Sequence, residues 1–123
     1  MSLWLAAGAV NGFLAVALGA FAAHGLKDRL DAQALGWVET GVQYQMFHTL
    51  ALLAVAWLAS REDVQGWSLQ LAGWGFLAGC VLFSGLLYLM ALTGTRGLGV
   101  VVPLGGLAFL AGWVGLLVTA LRV

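Results

Sequence analysis

The side chains of this chain whose types could do chemistry are His24, Glu39, Gln43, Tyr44, Gln45, His48, Ser84 and Tyr88. Tyr44 and His48 are four apart, as are Ser84 and Tyr88, so on helices each pair shares a face. Histidine changes charge near neutral pH, so a polar pocket around His48 could pass protons or hold a small solute. Ser84 could act as a nucleophile only with His48 within hydrogen-bond reach. No phosphate loop, paired carboxylate site or nucleophile–base–orienter set accompanies these residues, so no catalytic residue is assigned.

Metal chemistry has few donors to draw on. His24 and His48 are the two histidines, and Cys80 is the single cysteine. A lone cysteine excludes an internal disulfide and any multi-cysteine zinc or iron–sulfur site. A His24–Glu39 pair is two ligands short of the four usual for structural zinc. Neither a metal nor a cofactor is expected.

The elements that must position these side chains are apolar and long. Residues 3–26, 38–59, 66–92 and 98–121 form four stretches of the length that crosses a hydrocarbon core of about 30 Å. Of the 123 residues, 63% are hydrophobic and 8% charged, whereas a soluble domain carries about 25% charged residues. A soluble fold of this size cannot hide that much apolar surface. Backbone groups in lipid must be satisfied within the segment, so the spans are helices. The fold expected is all-α: an integral membrane four-helix bundle of antiparallel up-down spans, one transmembrane domain over residues 1–123. Ala20-Phe21-Ala22 has the form of a signal-cleavage site, yet no basic residue precedes Leu3 and the apolar run is too long. Five basic and five acidic residues balance, with no basic run, which excludes nucleic-acid binding.

Four crossings put both termini on one side, called side A, and the connections around residues 27–37 and 93–97 on side B. Trp4, Trp57 and Trp67 then fall near side A and Trp37 near side B, as interfacial belts require; Trp74 and Trp113 are expected to be deeper and packed. Three basic residues on side B against two on side A do not set the orientation. A rise of 1.5 Å per residue places His48 roughly 15 Å below Val38 and Ser84 about 12 Å below Leu92, at comparable depth. His24 and His48 differ in depth by roughly 10 Å or more, which argues against two axial ligands to one haem.

Small residues are also patterned. Gly8, Gly12, Ala15, Gly19 and Ala23 form a stripe on the first span, Gly75 and Gly79 a shorter one on the third, and Gly105, Ala108, Gly112, Gly115 and Thr119 a further stripe on the fourth. Such stripes let helix backbones approach closely, either inside one bundle or between copies.

Several motifs, taken in order, resemble a known family. They are Leu18-Gly19-Ala20-Phe21-Ala22-Ala23-His24, Gly36-Trp37 with Thr40-Gly41, and Tyr44-Gln45-x-x-His48-Thr49-Leu50-Ala51. Leu82-Phe83-Ser84-Gly85-x-x-Tyr88 follows, then Pro103-Leu104-Gly105-Gly106 with Gly112-Trp113. Together they resemble the family called domain of unknown function 423, which is similar to transmembrane protein 256 of animals. Ala22 departs from it, since the family often has glycine there. The resemblance implies a four-span protein of the bacterial plasma membrane and no established activity. The expected function is that of a non-catalytic accessory or scaffold component in the lipid bilayer, as a homo-oligomer or with a membrane-protein partner. The alternative is a minimal permease or channel for a small solute or proton.

Overall fold

Residues that cannot continue a helix, or that cap one, set the ends of the spans. Asp31 accepts the Ala34 backbone N–H at 2.8 Å, satisfying one of the free donors at the start of the second helix. Ser2 does the same for Leu5 at 3.3 Å on the first. Gly94, at φ 72°, takes the left-handed conformation that ends the third helix and donates its N–H to Met90 O at 2.8 Å. Pro103 falls in the first turn of the fourth helix, where its missing N–H costs nothing.

The computed structural model describes residues 2–123. It contains four helices long and apolar enough to cross a membrane: Leu3–Leu26, Ala32–Ala59, Trp67–Thr93 and Gly97–Arg122. The second helix starts at Ala32, ahead of the apolar stretch from residue 38, because the Asp31 cap lets it form in the polar connection as well. Trp37 and Trp57 on this helix are separated by about 30 Å of rise, one hydrocarbon thickness. Two wide π-helical turns interrupt the helices, at Ala22–Leu26 in the first and Cys80–Gly85 in the third.

The first helix packs chiefly on the second and the fourth chiefly on the third, and the second and third join these two antiparallel pairs. The small-residue stripes make the pairing possible. Gly8 faces Leu52 and Leu53, Gly12 faces Thr49 and Gly19 faces Val42, all on the second helix. Between the third and fourth helices, a Cβ on Gly75 would come within 2.8 Å of Ala108 O, and one on Gly115 within 2.6 Å of Ser68 O. Gly79 accommodates the Phe109 ring, Gly112 the Phe76 ring, and Gly105 the Leu82–Phe83 backbone. The stripes are therefore occupied by the chain's own helices.

Two apolar clusters fill the interior. Trp4, Leu52, Val55, Leu69, Ala72 and Phe76 belong to the side-A cluster, and Leu26, Val38, Tyr88 and Ala91 to the side-B cluster. Between them lies a layer of buried polar groups. Trp74 and Trp113 differ from expectation: each is about half exposed, at 53% and 47%. One edge of each packs, Trp74 on Trp4 at 5.0 Å between ring centres and Trp113 on Phe76 at 4.9 Å, and the remainder faces outward.

Candidate functional site

The polar layer begins on the first helix. Asn11 donates through Nδ2 to Ala7 O at 2.8 Å, which leaves its Oδ1 free to accept from Gln45 Nε2 at 2.9 Å. Gln45 in turn accepts the Tyr88 hydroxyl at 2.7 Å through its own Oε1. One chain of side chains thus ties the first, second and third helices, and each member is buried. Beside it, the fully buried Ser84 donates to Gly41 O at 2.7 Å. Position 41 is glycine for a steric reason, since a Cβ there would lie 2.6 Å from the Tyr88 ring. With its proton given to Gly41 and no bond to His48, Ser84 is not arranged as a nucleophile.

His48 makes the link to the fourth helix. Trp113 Nε1 lies 3.0 Å from His48 Nε2, and Nδ1 lies 2.6 Å from Tyr44 O. An indole N–H can only donate, so Nε2 must be the bare nitrogen and Nδ1 must carry the proton it gives to Tyr44 O. Both ring nitrogens are satisfied in this one neutral tautomer. The imidazole lies flat against Phe109, with ring centres 3.6 Å apart and planes within 11°, and Phe76 closes another side at 5.5 Å. In this state His48 has no lone pair or proton left for a ligand.

The remaining candidates face outward. His24, Glu39, Gln43 and Tyr44 are exposed. Glu39 and Gln43, with Val42, Gly19, Ala22 and Ala23, line a cleft of about 270 Å³ between the first and second helices. Gln43, Tyr44, Phe47, His48 and Trp113 line a groove of about 370 Å³ between the second and fourth. That groove continues into a more apolar trough of about 530 Å³ that reaches Pro103 and Leu110. The structure thus brings Gln45 and Tyr88 into direct contact and sets Tyr44 beside His48. It does not gather the eight candidates around one chamber: Gln45, Ser84 and Tyr88 lie in the buried interior, and His24 lies away from His48 on a wide turn. Among the described residues there is no group of three or more His, Cys, Asp or Glu side chains placed to hold a metal ion.

Asn11, Phe109 and Trp113 are members of the layer that sequence reasoning did not select. Asn11 carried a signal, as the one strongly polar residue inside the first span. Trp113 was marked by the Gly112-Trp113 motif and by its depth, though not as a partner of His48, and Phe109 carried no signal, because aromatic residues are ordinary in membrane helices.

The chain matches the family described as "Protein of unknown function (DUF423)" over residues 18–106. The chain belongs to this family. The DUF423 match contains Tyr44, Gln45, His48, Ser84 and Tyr88, whereas Asn11 and Trp113 lie outside it. Relatives include UPF0382 membrane protein YwdK of Bacillus subtilis, 45% identical over 99% of this chain and 98% of its own length. A UPF0382 membrane protein of Haemophilus influenzae is 49% identical over 88% of this chain and 85% of its own length. UPF0382 inner membrane protein YgdD of Escherichia coli K12 is 48% identical over 94% and 86%. No solved structure matches the chain. With four membrane-crossing helices and relatives of this kind, this DUF423 protein is a multi-pass protein of the bacterial inner membrane.

Proposed function

We propose that this protein is a non-catalytic accessory component that holds a transmembrane helix of another membrane protein along the outer face of its second helix. The observation that carries the reading is the outward exposure of Glu39 and Gln43 between two surface depressions. Gln43 lies about 9 Å deeper than Trp37 along the helix, inside the hydrocarbon region. Polar side chains facing lipid at that depth are costly, and they are usually matched by protein or water. Phe47 and Leu50 continue the same face toward side A and are 58% and 60% exposed, a surface on which an apolar helix can pack.

The interior supports the non-catalytic part of the reading. His48, Ser84, Gln45 and Tyr88 spend their hydrogen-bonding capacity on one another, on backbone carbonyls and on Asn11 and Trp113. A transport path through the layer would have to break these bonds. A second copy is a poorer partner than a different chain. In a closed two-fold pair about the membrane normal, each Glu39 would meet its own kind, whereas a hydrogen-bond donor or a cation on another protein complements it.

Native mass spectrometry of the protein, extracted gently from its own membranes, tests this. The expected result is a stoichiometric second membrane protein that is lost in Gln43→Leu. A homo-oligomer alone, or proton or solute flux in liposomes that falls on substitution of His48 or Glu39, would overturn it in favour of self-association or transport.

A further inference from the structure

The side-B connections border an open surface pocket that plays no part in the site above. It has a volume of about 270 Å³ and lies where the residue 27–31 connection, the start of the second helix and the end of the third helix meet. Arg29 and Arg96 line it from two different connections, and Trp37, Gln33 and Asp31 from the second helix and its cap. Leu30, Ala34, Met90 and Ala91 form its apolar part.

Arg96 already has two partners on the second helix. One guanidinium nitrogen, Nη2, donates to Gln33 Oε1 at 2.5 Å, and the guanidinium carbon lies 6.0 Å from the centre of the Trp37 ring. A guanidinium has five N–H donors in a rigid fork, so several remain for an anion. Asp31 Oδ1 is engaged by the Ala34 N–H. Two arginines and one carboxylate leave the lining with a single net positive charge. That charge suits one phosphodiester, which carries one negative charge and presents oxygens to which arginines bind well.

We propose that this pocket binds the phosphate of a glycerophospholipid headgroup. Its level decides for a lipid over a soluble phosphate. Trp37 is the interfacial tryptophan of side B, so the two arginines stand at the height of the headgroups. Ala34, Met90 and Ala91 are buried, so the apolar floor of the pocket is the protein's own interior, and the arginines stand at its rim. A headgroup bound here would join the two side-B connections, beside the Arg96–Gln33 bond that ties the residue 93–97 connection to the start of the second helix.

The test counts phospholipids retained by native mass spectrometry after stepwise delipidation, followed by titration with phosphatidylglycerol. Wild type, Arg29→Gln, Arg96→Gln and the double variant would be compared, with Arg61→Gln and Arg122→Gln on side A as controls. Each side-B substitution should weaken the tightest lipid about fivefold and the pair about thirtyfold, with the controls unchanged. Arg29→Gln leaves the Arg96–Gln33 bond in place, so its loss of lipid is read on an intact connection. Equal retention by wild type and the double variant would overturn the site. Inorganic phosphate that binds as tightly as phosphatidylglycerol and displaces it would overturn the lipid as the occupant.

Discussion

Gln45 uses both ends of its amide, donating to Asn11 and accepting from Tyr88. Replacing it by leucine leaves two buried partners without a bond, so Gln45→Leu is expected to cost about 1–2 kcal/mol of stability in bicelles, read by steric trapping. Thr49 makes the opposite prediction. Its Oγ1 is buried and has no hydrogen-bond partner among the described residues. Thr49→Val removes that unmatched hydroxyl at nearly constant shape and should stabilise the protein by about 1 kcal/mol in the same measurement. Asp63, outside the membrane spans, is exposed and receives two hydrogen bonds from the Arg61 guanidinium at 3.0 and 2.6 Å. Those bonds hold its carboxyl below the usual carboxylate range. A lowered folded pKa gives stability that is present above the unfolded value and lost as pH falls through the folded one, so any contribution belongs to neutral pH. Exposed pairs contribute little, and Asp63→Asn should leave the unfolding midpoint at neutral pH unmoved.

At the scale of the helices, the glycine positions divide by what a methyl group would meet. Gly75 lies against the backbone of Ala108 and Gly112, neither of which can yield as a flexible side chain would. Gly75→Ala should force the third and fourth helices apart and cost about 2 kcal/mol. Gly36 has open space where its Cβ would be, and Gly36→Ala should be neutral or stabilise by up to about 1 kcal/mol. Unfolding of the two variants under one condition checks the pair, and a similar loss in both would count against the interface described. The wide turn at Cys80–Gly85 belongs to this scale too. It lies opposite Gly105, where an added Cβ would meet the Leu82–Phe83 backbone. No residue type announces such a turn, because it is a shift in backbone bonding that the neighbouring helix stabilises.

At the scale of the molecule, four crossings place the connections alternately on the two sides. In a Cys80→Ala background, Lys27→Cys and Thr95→Cys should react with a membrane-impermeant maleimide from one side, and Glu62→Cys only from the other. Labelling of all three from one side would refute the antiparallel arrangement. The same labels would give the orientation, which the weak bias in basic residues leaves open. The surface proposed to hold a partner helix is shared by the first, second and fourth helices rather than formed by any one residue.

Hydropathy by itself determined that the chain has four helices, that they cross a membrane, and roughly how deep each polar residue lies. Length and rise are one-dimensional quantities, and a run of apolar residues sets both. Depth sufficed to select Gln45, Ser84 and Tyr88 on the second and third helices, though not the bonds they form. Only the tertiary structure decided which way each side chain faces around its helix. That angle pairs His48 with Trp113 rather than Ser84, sends Glu39 and Gln43 outward, and sets Arg29 across a pocket from Arg96. It follows from how glycines and rings on neighbouring helices fit, a balance of contacts distant in sequence that no pattern along one helix records.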